Sequence, residues 1–149
     1  MDTNVIEAGT SLRIARRYEA PRRLVFEALT EPEMLAKWFA PTDEFSVHVD
    51  RFEAVVGSAY RIEMRHKDGD VHTCIGKIQE VKPHERLAYT WSWEGGEMGD
   101  TLVTWELSER DGGTELVLTH DRFPNEEATA QHTKGWTSMF GRLEGILSS

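Results

Sequence analysis

The sequence predicts an α+β domain in which an antiparallel sheet of short strands packs on one long C-terminal helix. Three observations predict it. From Glu44 to His120, apolar and polar residues alternate with period two in six consecutive runs. The turns between those runs are short and carry glycine, aspartate or proline, so neighbours in sequence pair antiparallel. After them comes a single stretch, residues 125–147, with apolar or semi-apolar side chains at Ala128, His132, Trp136, Met139, Phe140, Leu143, Ile146 and Leu147. Steps of three and four place these on one helical stripe.

In chain order, residues 1–10 show no periodicity and are expected to form a flexible arm. Residues 11–149 then make one domain. From Ser11 to Glu19, Leu12, Ile14, Arg16 and Tyr18 alternate with Arg13, Ala15 and Arg17, a strand pattern. Ala20-Pro21 ends it, and Arg22 to Leu29 follows as a short helix with Leu24, Val25, Ala28 and Leu29 inward. Thr30 or Glu31 caps a second short helix that Pro32 begins and Pro41 stops, with Leu35, Trp38 and Phe39 on its apolar edge. The pair forms a V-shaped brace.

Six strands follow. Phe45, Val47 and Val49 share a face in the first, and Tyr60, Ile62 and Met64 in the second. Lys67-Asp68-Gly69-Asp70 is a hairpin turn in which glycine supplies positive φ. Val71 to Val81 is third. Leu87, Tyr89, Trp91 and Trp93 alternate through the fourth, then Val103, Trp105 and Leu107 through the fifth, and Leu116, Leu118 and His120 through the sixth. The order is strand, two helices, six strands, helix. Asn125 suits the N-cap of the final helix, and Glu126 and Glu127 suit the positive end of its dipole.

With 149 residues, the chain fits one domain with a sizeable core, and 39% hydrophobic against 29% charged residues excludes disorder. The net charge of −9 repels phosphate backbones and anionic lipid heads, which argues against nucleic-acid and membrane-surface roles. No apolar run approaches the roughly 20 residues of a membrane span, and Met1 to Thr10 does not read as a signal peptide. One cysteine, Cys74, allows no internal disulfide. A cytoplasmic location is expected, and Cys74 itself reads as a buried, inert thiol.

Several of these residues resemble a known superfamily. Arg16-Arg17-Tyr18-Glu19-Ala20-Pro21, Val25 through Glu33, and Trp38 are similar to the opening of SRPBCC (START-like) domains. Gly76-Lys77-Ile78, Val81-Lys82-Pro83, Arg86 through Trp91, Gly113-Thr114-Glu115-Leu116, His120 and Gly135-Trp136 continue the likeness. Within the superfamily the chain looks most like bacterial stand-alone relatives of the C-terminal domain of the activator of the 90-kDa heat-shock protein ATPase. The resemblance implies a helix-grip fold, a curved sheet wrapped around the C-terminal helix. It also implies a small hydrophobic or amphipathic ligand between sheet and helix, with a possible stress-related role. A chaperone partner is the alternative that the activator suggests, although its chaperone-binding N-terminal domain has no counterpart here. A third alternative is a cyclase- or hydrolase-type enzyme using the same cavity.

The candidate ligand-binding residues are the inward aromatics and their neighbours. From the sheet side they are Tyr60, Met64, Tyr89, Trp91, Trp93, Trp105, His120 and Phe123; the helix and brace add Trp38, His132, Trp136, Met139 and Phe140. Large aromatics with a polar tip can line a cavity and still hydrogen-bond a ligand. They can also simply fill a core. His120 and His132 could face one another across such a pocket as ligand contacts or as an acid–base pair, or be satisfied histidines at the sheet–helix seam. His48, His66, His72 and His84 read as surface or turn residues. Catalysis would need a convergent polar pair, such as His120 with Tyr89 or Tyr60. No nucleophile motif, phosphate loop, dinucleotide fingerprint or metal-ligand spacing occurs, so no catalytic residue, cofactor or metal is expected. Arg16 shares a strand face with Leu12, Ile14 and Tyr18, so it needs a partner: a ligand carboxylate, or a protein acid or carbonyl. A homodimer through the solvated sheet face or an edge strand stays open.

Overall fold

A computed structural model describes residues 3–148 of the chain. Eight strands form one antiparallel sheet: β1 (Thr3–Ala8), β2 (Ser11–Tyr18), β3 (Phe45–Arg51), β4 (Ala59–His66), β5 (Val71–Lys82), β6 (Arg86–Trp93), β7 (Thr101–Arg110) and β8 (Gly113–Asp121). Their spatial order is β1-β2-β8-β7-β6-β5-β4-β3. Helices α1 (Arg22–Thr30) and α2 (Pro32–Trp38) connect β2 to β3, and α3 (Glu126–Leu147) closes the chain. This is the α+β helix-grip architecture expected from the sequence, with α3 as apolar partner of the sheet.

The alternation explains the layering. Leu12, Ile14 and Tyr18 of β2, Leu116 and Leu118 of β8, Val103 and Trp105 of β7, and Leu87, Tyr89 and Trp91 of β6 are all buried, and they join one continuous core with Trp136, Met139, Phe140 and Leu143 of α3. Two hydrogen bonds lock β2 to that helix. Tyr18 Oη donates to the Phe140 carbonyl at 2.8 Å. Arg16 finds a protein acid, its Nη2 lying 2.9 Å from Glu144 Oε1. Gly76 is needed where β5 passes β6 and Tyr60, because a Cβ there would overlap the Thr90 carbonyl and stand 2.7 Å from the Tyr60 ring. On α3, the Asn125 side chain accepts from Ala128 N at 2.8 Å, as the N-cap expectation requires.

Two expectations are corrected, and a third, the cap of α2, is met in position but without a side-chain bond. The first ten residues are not a flexible arm throughout: Thr3–Ala8 pairs with β2 from Thr3↔Arg16 to Ala8↔Ser11. Met1 and Asp2 lie outside the described residues. All six residues of β1 are exposed, so this edge strand is held by backbone pairing, which leaves no apolar pattern to read. In α1, Leu24 is exposed at 38%, and Phe26 joins Val25, Ala28 and Leu29 inside, with His84 edge-on at 5.7 Å. At the start of α2, Glu31 takes the N-cap position without a side-chain cap bond. Thr30 Oγ1 instead donates back to the Phe26 carbonyl at 2.8 Å.

Candidate functional site

The core between sheet and helix is largely solid. Trp105 sits at its centre, stacked on Phe140 with centroids 5.8 Å apart and edge-on to Trp136 at 5.4 Å and Trp38 at 6.2 Å. Tyr60 and Tyr89 meet at 5.0 Å on the β4–β6 side. The Trp105 indole donates to Tyr89 Oη at 2.9 Å, Tyr60 donates to the Thr90 carbonyl at 2.6 Å, and the Trp38 indole donates to the Ala28 carbonyl at 2.8 Å. Burial raises the pKa of both tyrosines, so both are neutral hydroxyls. Neither hydrogen-bonds His120, so neither of the two example pairs, His120 with Tyr89 or His120 with Tyr60, is joined by a hydrogen bond.

The open space lies at one end, where β6 finishes and α3 begins. There a cleft of about 390 Å³ opens to solvent, within the roughly 300–1,000 Å³ typical of small-molecule sites. The sequence-predicted residues that line it are Met64, Trp91, Trp93, His132, Trp136 and Met139. The other seven do not: Trp38, Tyr60, Tyr89, Trp105, His120, Phe123 and Phe140 are all at or below 5% exposure, packed under or beside it. Sequence reasoning missed Pro41, Phe45, His72, Gln131 and Gly135, which complete the wall. For His72 a signal existed. It stands two residues before buried Cys74 and directly opposite Met64, so β alternation assigns it to the inner face.

The two histidines are fixed by the tryptophans. Thr101 Oγ1 donates to the Trp91 carbonyl, so at its 2.6 Å contact with His120 Nε2 the hydroxyl accepts. His120 Nδ1 in turn accepts from the Trp136 indole at 3.0 Å. For His132, Nδ1 donates to the Ala128 carbonyl at 2.8 Å, and Nε2 accepts from the Trp93 indole at 3.1 Å. Each ring is thus held as one neutral tautomer with both nitrogens engaged. Burial, followed by the proximity of His132, pushes the His120 pKa well below the usual histidine range. Burial also lowers that of His132, against the Ala128 carbonyl, which raises it. The rings do face one another, 5.3 Å apart and nearly perpendicular, with Phe123 against both. Both are satisfied histidines at the sheet–helix seam.

Chemically the cleft offers flat aromatic walls, two thioethers and little charge. No lysine, arginine, aspartate or glutamate lines it among the described residues. The described residues also contain no cluster of three or more metal-ligating side chains. Cys74 is fully buried, and burial raises its thiol pKa, so it stays protonated and inert.

Comparison with known families gives a match to Activator of Hsp90 ATPase homolog 1-like protein (AHSA1) over residues 19–148. The chain belongs to that family. Solved structures of similar AHSA1-type shape agree with the architecture. A protein from Chromobacterium violaceum is 27% identical, with a TM-score of 0.87 over 94% of this chain and 98% of its own. The AHSA1 protein from Silicibacter pomeroyi, at 23% identity, gives 0.82 over 93% and 97%. DynU16, a putative protein in the dynemicin biosynthetic locus, is 26% identical with a TM-score of 0.76, over 94% of this chain but 48% of its own. No curated protein matches the chain. No described helix of this AHSA1 family member is long and apolar enough to cross a membrane.

Proposed function

We propose that this AHSA1 family member binds a small apolar or amphipathic molecule in the cleft between β4–β6 and the first half of α3, without turning it over. The carrying observation is the cleft itself: a solvent-open, uncharged recess of about 390 Å³ walled by Trp91, Trp93, Trp136, Met64 and Met139. An apolar recess of this kind gains affinity by removing ligand surface from water, at about 25 cal/mol per Å². Binding rather than catalysis is favoured because His120 and His132, the pair that faces across the seam, have both nitrogens of each ring committed to protein partners, which leaves His72 as the one histidine at the cleft without such a pair.

Gly135 supplies a clean test. It lines the cleft within α3, and a Cβ added there meets nothing within 4 Å. Gly135→Leu therefore fills the recess without a clash at its base. It also replaces glycine by a better helix former, a gain of up to about 1 kcal/mol. A neutral environment-sensitive dye such as Nile red is expected to bind the wild type with micromolar affinity and quench tryptophan emission. The Gly135→Leu protein is expected to lose that binding at undiminished thermal stability. Equal dye uptake by both proteins would sink the proposal.

A further inference from the structure

The cleft has few polar groups left to offer a ligand. The Trp93 indole N–H is spent on His132 and that of Trp136 on His120, while the Trp91 N–H is sealed from solvent without a partner. His132 has committed both ring nitrogens. Two lining side chains remain, His72 on β5 and Gln131 on α3, both exposed and neither in a side-chain hydrogen bond. They stand on opposite walls, one on the sheet and one on the helix. Met64, Trp91, Trp136 and Met139 are at or below 5% exposure, so polarity changes with depth. The bottom of the cleft is apolar and its mouth can hydrogen-bond.

Of the two, His72 is the better anchor. Its ring is edge-on to Trp93 at 6.4 Å and tilted against Phe45 at 6.1 Å, both in the cleft wall, so it loses little freedom on binding. Gln131 has one more rotatable bond to immobilise, and it also lines the neighbouring recess around Pro124 and Glu127. Neither His72 nitrogen is fixed by a protein partner, so the neutral ring can present a donor or an acceptor. A hydroxyl serves both tautomers. A carboxylate serves only the donor, and no lysine or arginine lines the cleft to balance its charge. Asp68, within electrostatic range of His72, and the net charge of −9 both oppose an anion there.

We propose, on the footing that this cleft is the binding site, that its ligand is a neutral amphipathic alcohol or phenol that enters body first and leaves its hydroxyl at the mouth, hydrogen-bonded to His72. His72 is the specificity determinant for the head group, and the tryptophan and methionine wall takes the body.

Two naphthalenes of nearly equal shape, 2-naphthol and 2-methylnaphthalene, test this in titrations at pH 7.5 against the wild type, His72→Phe, His72→Gln and Gln131→Met. The probes differ in hydrophobicity, so the quantity read is the change in their affinity ratio between proteins. Both substituted side chains are exposed, and a melting temperature near that of wild type is the control. His72→Phe keeps a flat ring without a hydrogen bond and is expected to shift the ratio against naphthol by a few-fold to tenfold, roughly the worth of one net hydrogen bond. His72→Gln keeps a donor and an acceptor and is expected to restore most of that ratio, while Gln131→Met leaves it within about twofold of wild type. In the wild-type complex, nuclear Overhauser contacts should join the hydroxyl-bearing ring of naphthol to His72 and the far ring to the methyls of Met64 and Met139. An unchanged ratio in His72→Phe, or the hydroxyl-bearing ring against the methionine methyls, overturns the inference but leaves the cleft a binding site. A ratio lost in Gln131→Met instead, or 2-naphthoate binding as tightly as naphthol, overturns it too. If naphthol does not bind although Nile red does, the inference falls alone; if Nile red also fails, the binding proposal falls with it.

Discussion

Acid should weaken this protein through two particular histidines. His120 Nδ1 and His132 Nε2 each accept an indole N–H, so a proton added to either nitrogen would face a donor head-on inside a buried site. The folded state therefore resists protonation, and both pKa values lie below the ordinary one, chiefly through burial. In the unfolded chain the same histidines take up protons near pH 6.5. The unfolded state then binds more protons, and stability falls as pH falls. The contribution is whole above about pH 6.5 and is lost on the acid side, by up to about 1.4 kcal/mol per pH unit for each histidine. Because the unfolded histidines are already half protonated at pH 6.5, each loses at most about 1 kcal/mol between pH 6.5 and 5.5, and with a urea m value of about 2 kcal/mol/M the two together lower the midpoint by up to roughly 1 M. The lowered carboxylates act later. Glu63 and Glu94, held down first by Arg61, and Asp68, held first by the Asp70 backbone, give up stability only below about pH 4.5, outside this window. Urea unfolding followed by far-ultraviolet circular dichroism at pH 7.5, 6.5 and 5.5 measures the slope. His120→Leu is expected to remove about half of it, whatever constant offset the orphaned Trp136 donor adds. A midpoint that is flat with pH, or a slope unchanged in both His120→Leu and His132→Leu, would refute the reasoning.

Two further outcomes concern the frame around the cleft. Trp136→Ala removes a side chain in contact with Phe39, Trp91 and Trp105 and leaves His120 Nδ1 without its donor, so a loss of at least about 3–5 kcal/mol is expected in chemical denaturation; a midpoint within error of wild type would show α3 to be peripheral. Gly76→Ala drives a methyl into the Thr90 carbonyl and the Tyr60 ring, backbone that cannot yield cheaply, and should cost at least about 1–3 kcal/mol, seen as a lower melting temperature; an unchanged one would contradict the close passage of β5 and β6.

The fold was legible because burial writes itself into alternation. Leu87, Tyr89 and Trp91 are all inside, as their spacing requires, and Asn125 caps α3 as its chemistry requires. β1 was not legible, since a fully exposed strand that pairs through its backbone needs no apolar pattern in Thr3–Ala8. The site was half legible. Sequence marks which residues face inward but not where the interior is full, so Trp105, Tyr89 and Phe140 in the packed core carry the same signature as Trp91 and Met64 at the opening. Gly135 and Pro41 line the cleft by leaving room, and an absence of side chain has no apolar signature. Nor can spacing disclose that two histidines consume the indoles of Trp93 and Trp136 while that of Trp91 has none.

Six of the seven ladders join strands that follow one another in the chain; the β2–β8 ladder does not. It pairs Leu12 with His120 and Tyr18 with Thr114, closing a loop of roughly a hundred residues, the most costly closure in the sheet. β2 also carries the two side chains that bind α3, Tyr18 and Arg16. β2 and α3, which lie far apart in the chain, are thereby stitched together, each holding the other in place. The exposed edge strand β1 can fray by itself, but β2 and α3 cannot come away while the remainder stays intact, so amide exchange in β2, β8 and the second half of α3 should share one opening free energy.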